Sequence, residues 1–157
     1  MQSRFDAVAR NQDSENSRKS GDKTMLADSE VATRLPVKDL ARARRFYSEK
    51  LGLEPTEERP GGLLYRCGGG CFALFESAGA GSGTHTQMAW EVADIESTVA
   101  ALRSRGVVFE EYDLPDLKTV NGIATIQGNY PSKGVGERGA WFCDSEGNVL
   151  GLGQPVR

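Results

Sequence analysis

The sequence predicts an α+β fold made of two copies of one βαβββ module, and three observations carry that expectation. The stretch Val31–Leu53, VATRLPVKDLARARRFYSEKLGL, reads as strand, helix cap, amphipathic helix and stop. The same order returns in Gln87–Phe109, QMAWEVADIESTVAALRSRGVVF, with Asp39 and Asp94 standing 55 positions apart, as a repeated supersecondary unit requires. Each copy then runs through a short strand, a glycine-bearing turn and a last strand.

The elements follow from local chemistry. Val31, Thr33, Leu35 and Val37 alternate with Ala32, Arg34 and Pro36, the period of two expected of a strand with one face on a core. Asp39 stands where an N-cap carboxylate can accept from the free N–H groups of a first helical turn. Leu40, Ala43, Phe46 and Tyr47 share one helical face, and Arg42, Arg44 and Arg45 turn largely to water. Gly52 supplies the left-handed stop, after which Leu53 opens a strand. In the second copy Val92, Asp94, Ile95 and Gly106 take the places of Val37, Asp39, Leu40 and Gly52. The closing hairpins are Leu63–Cys67 with Cys71–Glu76 around three glycines, and Ala140–Cys143 with Val149–Gly153 around Asp144–Asn148. Composition alone makes that last segment a turn, with no catalytic role needed for its acids.

Arg59–Gly62 suits a hairpin loop, and Ser77–Thr84, SAGAGSGT, a flexible connector between the modules. The second module carries an expansion, Asp113–Gly139, with a short strand at Ile123–Ile126. A loop of that size serves as a lid or interface element, or as plain surface decoration. Residues 1–24 mix both charges with Asn, Ser and Gly and offer little apolar surface, so they read as a disordered leader before a domain at 25–157. The modules then span about 31–77 and 87–154.

A formal net charge of −3 and an isoelectric point near 5.3 leave no electrostatic footprint for nucleic acid or an acidic membrane. No apolar run reaches the length of a membrane span, and the expected location is the cytoplasm. Three cysteines, Cys67, Cys71 and Cys143, leave one over from any disulfide framework. Cys67 and Cys71 flank the glycine turn, where they could face each other, but in a reducing compartment they read as free thiols. A nucleophilic cysteine would need a nearby base, and His85 is the only histidine; its place at the connector's end reads as exposed.

VKDLARARRFYSEKLGL, ADIESTVAALRSRGV and WFCDSEGNVLGL resemble the vicinal-oxygen-chelate (VOC) superfamily, which includes glyoxalase I, bleomycin-resistance proteins, fosfomycin-modifying enzymes and extradiol dioxygenases. The resemblance covers about Val31–Gln154. It implies curved mixed sheets around a central cavity with helices outside, and a homodimer. It also implies a divalent metal held by His, Gln or Glu on the concave strands. The matching positions here are Ala32, Leu74, Gln87 and Gly151, Leu74 being reached by aligning Gly70 with Gly147. Only Gln87 offers a ligand atom where about three are needed, so no cofactor and no divalent metal are expected.

If Ala32 and Gln87 point inward, strand alternation also turns Arg34, Ala89 and Glu91 inward, with Phe72, Leu74, Glu76, Val149, Gly151 and Gly153. Thr33, Leu35, Met88, Trp90 and Val92 then face the helices. One of Trp141 and Phe142 faces the cavity, with Trp141 kept among the candidates, and Tyr65 and Tyr112 either close its rim or cover a sheet edge. Arg34 either receives an anionic group or pairs structurally with a glutamate. Two functions fit: a metal-independent protein binding a small, anionic organic molecule, or a VOC-type lyase, isomerase or dioxygenase. The enzyme would use Glu91 or Glu76 as general base, or a metal on displaced ligands.

Overall fold

The computed structural model describes residues 26, 29–79, 81 and 83–157, so the expected leader, residues 1–24, lies outside the described residues. Within Ala32–Arg157, the first module is β1 (Thr33–Val37), α1 (Leu40–Glu49), β2 (Glu57–Arg59), β3 (Gly62–Cys67) and β4 (Gly70–Glu76). They form a four-stranded sheet in the order β1-β4-β3-β2, parallel at β1-β4 and otherwise antiparallel. The second comprises β5 (Thr86–Glu91), α2 (Ile95–Ser104), β6 (Asp113–Leu114), β7 (Leu117–Val120), β8 (Ile123–Gln127), β9 (Gly136–Cys143) and β10 (Val149–Val156). Its sheet runs β5-β10-β9-β8-β7-β6.

Both predicted caps form. Asp39 accepts from Arg42 N at 2.8 Å and Asp94 from Ser97 N at 3.1 Å. Gly52 and Gly106 follow the helices with φ of 69° and 84°, a backbone state that disfavours any side chain. The boundaries differ modestly from expectation. Val31 is exposed, β1 begins at Thr33, and an extended link separates Leu53 from β2. In the second module, the counterpart of β2 shrinks to a bridge between Phe109 and Phe142, with Glu110 N donating to Trp141 O. The hairpin β7-β8 takes over the rest of β9's edge.

The helix-side faces of both sheets merge into one apolar core. Leu35, Val37, Tyr47, Tyr65, Phe72 and Leu74 of the first module join Ile95, Val99, Phe142, Leu150 and Leu152 of the second. Phe72 and Trp90 meet edge to face at 6.0 Å across the seam, within the range where aromatic pairs attract. Trp90, Met88 and Val92 thus lie on the helix side as expected. Tyr47 rather than Phe46 anchors α1, being fully buried where Phe46 is only partly so.

A buried polar clamp joins the modules. The Asp144–Asn148 turn, expected only to reverse the chain, inserts into the start of α1. Glu146 Oε1 accepts from Lys38 N and Asp39 N at 3.0 and 2.9 Å, and the carboxylate takes both Arg42 Nε and Nη2 at 2.7 and 3.0 Å. Arg42 therefore does not simply face water. A carboxylate at a helix N-terminus satisfies orphan N–H groups and meets the positive end of the helix dipole. The Arg42 fork, with backbone donors helping, holds the Glu146 carboxyl down at about 2. Asp144 Oδ2 accepts from Tyr47 Oη and Asn148 Nδ2, while Asn148 Nδ2 also donates to Pro36 O. Burial and the neighbouring Asp144 carboxylate push the Tyr47 phenol up.

Candidate functional site

The helix-free face of the four-stranded sheet follows from its register. Arg34 lies beside Ala73, Ala73 beside Leu64 and Leu64 beside Glu57, so one row of side chains crosses all four strands. The next row is Pro36, Phe75, Gly62 and Arg59. These rows bound a pocket of about 190 Å³ that includes Arg34, Glu57, Arg59, Leu64 and Ala73. Arg34 is exposed and has no ion-pair partner among the described residues. Arg66 reaches Glu57 at 3.3 Å. A cation beside an apolar floor of leucine and alanine can receive a carboxylate or another anionic oxygen group.

The corresponding face of the six-stranded sheet is occupied by its own residues. Gly151 pairs with both Ala89 and Trp141, and Gly153 with Glu91 and Gly139. A methyl placed on Gly139 would lie 2.8 Å from the Trp141 ring, and one on Gly153 would collide with the Glu137 carboxylate. The space these glycines leave is thus already filled. Tyr112 packs edge to face on Trp141 at 5.6 Å, and Lys133 of the expansion donates to Glu91 Oε2 at 2.5 Å.

Several sequence expectations are corrected by this register. Phe72 and Leu74 share the face of Thr33 and Leu35, not that of Arg34, and are 3% and 0% exposed in the core. Glu76 has the same parity and lies exposed beside the Gly61 turn. The cause is turn length: two residues join β3 and β4, whereas five join β9 and β10. Aligning Gly70 with Gly147 therefore slips the register by one, and such a slip reverses every side chain. The structural equivalent of Gly151 is Ala73, since each stands beside the equivalent residue of the first strand, Ala89 or Arg34.

Tyr65 does not close a rim. It is fully buried, stacks on Phe72 at 4.9 Å and leaves its hydroxyl without a partner. Gln87 sits at a bulge, because Val149 pairs with Thr86 and Leu150 with Met88. Thr86 and Ala89 consequently approach Gly151, while Gln87 Oε1 is buried beside Gly81 and Asn148 Oδ1. Cys67 pairs with Gly70 and Cys71 with Arg66, so the two thiols occupy opposite sheet faces and do not meet. All three cysteines are free. Of the named candidates, the structure leaves Arg34 on the open face of the first module and brings Glu91, Trp141 and Tyr112 together on the second.

Residues 30–113, more than half of the chain, match the sequence pattern of the Glyoxalase/Bleomycin resistance protein/Dioxygenase superfamily. The chain belongs to that superfamily. Solved structures share its fold. A glyoxalase/bleomycin resistance protein/dioxygenase from Nocardioides is 22% identical, with a TM-score of 0.57 over 85% of this chain and 89% of that one. TnmS3, an antibiotic binding protein from Streptomyces sp. CB03234, is 24% identical, with a TM-score of 0.55 over 83% and 98%. A lactoylglutathione lyase from Agrobacterium tumefaciens is 20% identical, with a TM-score of 0.52 over 81% and 93%. No curated protein matches the sequence.

Ala32 and Gly151 carry no donor, Ala73 and its neighbour Leu74 carry none, and the Gln87 amide oxygen is turned away at its bulge. Among the described residues no group of three His, Cys, Asp or Glu side chains converges elsewhere. The side chains at the metal positions do not fit a divalent metal centre. Nor is any helix among the described residues long and apolar enough to cross a membrane.

Proposed function

We propose that this superfamily member binds a small anionic organic molecule on the open face of its first module, without a divalent metal, in the cytoplasm. The observation that carries this is Arg34, a cation without an ion-pair partner among the described residues, in one row with Ala73 and Leu64. The free thiols of Cys67, Cys71 and Cys143 accord with a reducing compartment.

The binding unit is a homodimer. A pocket of about 190 Å³ falls short of the roughly 300–1,000 Å³ of sites that enclose a small molecule, so a second wall is needed. Arg34 and Arg59, with Glu57 taken up by Arg66, mark the open face of one module, while Glu91 and Glu137 mark that of the other. A two-fold pairing would set each against its complement twice. Glu91, held by Lys133, lines that second wall rather than acting as a base in the free chain.

The test is a thermal-shift screen of aromatic carboxylates and their amine counterparts against the wild type and Arg34→Met. The variant should fold normally and lose the response to the anionic hits. Retention of those responses overturns the role of Arg34. Added Ni²⁺, Zn²⁺, Mn²⁺ or Fe²⁺ should leave the melting temperature unchanged, whereas a metal at a hundred times its dissociation constant would stabilise by ~2.7 kcal/mol.

A further inference from the structure

The added strands of the second module create a second recess on the side opposite the open face. α1 and α2 both have 10 residues, yet α1 accompanies a sheet of four strands and α2 one of six. The helix-side surface of β7-β8 is left without a cover. Between it and α2 lies a trough of about 580 Å³, within the roughly 300–1,000 Å³ typical of small-molecule sites. Its α2 wall is Glu96, Val99, Ala100 and Arg103, which recur at helical spacing, and its strand wall includes Lys118, Val120 and Ile123.

The trough is built, not merely open. The Arg103 guanidinium donates to Asn121 O at 2.9 Å and lies 5.6 Å above the Phe109 ring. Its remaining N–H donors stay available at a fixed place, with the nearest carboxylate, Glu111, 4.0 Å away. Arg138 closes the other side through an ion pair with Glu96 at 2.6 Å, and Lys118 pairs with Asp113 at 3.2 Å outside the lining. Three cations and one carboxylate therefore line an apolar floor in a chain whose net charge is −3. The exposed pairs are weak and can be exchanged for a ligand.

We propose that this trough binds an amphipathic carboxylate, with the carboxylate on the Arg103 fork and the hydrocarbon body along Val99, Val120 and Ile123. The recognition rests on charge complementarity and on removing apolar surface from water together. It does not depend on Arg34 or on dimer formation.

Octanoate, octylammonium and acetate, titrated into the full-length protein and followed by methyl NMR, test the proposal. Octanoate should shift the Val99, Val120 and Ile123 methyl signals saturably, and the other two should not. Arg103→Met should weaken octanoate at least about tenfold, while Arg34→Met should leave it unchanged. Should Arg103→Met fail to fold, Lys118→Glu at an exposed site is expected to weaken octanoate instead. Equal shifts with octylammonium, no saturable shift with octanoate, or affinity that survives both trough variants would overturn the assignment. Loss in Arg34→Met alone would place the octanoate on the open face and overturn it too.

Discussion

The two modules share one chain order but treat their helix-free faces in opposite ways. In the first, Arg34, Ala73, Leu64 and Glu57 form an open row. In the second, Trp141 and Glu137 lie over Gly139 and Gly153, Tyr112 backs Trp141, and Lys133 reaches Glu91. The closing turns differ as well. Two residues suffice between β3 and β4, while the five between β9 and β10 form the clamp that enters the first module. Repetition of a backbone module thus fixes where strands lie without fixing what their faces do.

The sharpest break of this comparison lies between two neighbours on β4. Leu74→Glu places a carboxylate in the sealed core and should cost at least about 4 kcal/mol, enough to prevent cooperative urea unfolding. Ala73→Glu, on the open face, should stay within about 1 kcal/mol. Comparable costs for both would show that the face assignment is wrong.

Next in size is the clamp. Glu146→Gln should lower stability by about 2–4 kcal/mol in denaturant titrations, because Arg42 and two backbone donors lose a charged acceptor. The pH dependence has a definite sign. The Glu146 carboxyl is held at about 2, below its ordinary 4.5. Its contribution, of the order of 3 kcal/mol, is fully present above pH 4.5 and is lost as pH falls toward 2. Glu146→Gln should flatten that part of the acid-stability curve, and an unchanged curve would count against the clamp.

Gly151→Glu tests the filled face. The Cβ itself would press on Ala89 at 3.3 Å and touch Trp141 at 3.5 Å, and the longer chain must move the indole aside. Crowding of this kind should cost about 1–3 kcal/mol, more than the matched Ala73→Glu, and quench or shift Trp141 fluorescence. Lys133→Met should be the mildest, under about 1 kcal/mol by thermal melting, since both partners of the Glu91 pair are about half exposed. A larger loss would mean that the expansion holds the second module's face shut.

Much of this was legible in the sequence. Asp39, Asp94, Gly52 and Gly106 marked both helices, because caps and left-handed stops depend on residues within one turn of each other. The alternation of Leu35 and Val37 against Arg34 likewise placed β1 correctly. The strand faces of Phe72, Leu74 and Glu76 were misread because two residues join β3 and β4 where five join β9 and β10, so matching Gly70 with Gly147 slips the register by one and inverts every side chain beyond the turn. Gln87 was misread for a related reason, a bulge set by pairing with β10 rather than by its own neighbours. The sequence by itself determined the superfamily and the two-module order, since both rest on local residue type and spacing. Only the tertiary structure decided that Asp144, Glu146 and Asn148 clamp α1, that the first module's face is the open one, and that β7-β8 outgrow α2. Each of these depends on residues far apart in the chain meeting in space, where burial and hydrogen-bond satisfaction override local propensity.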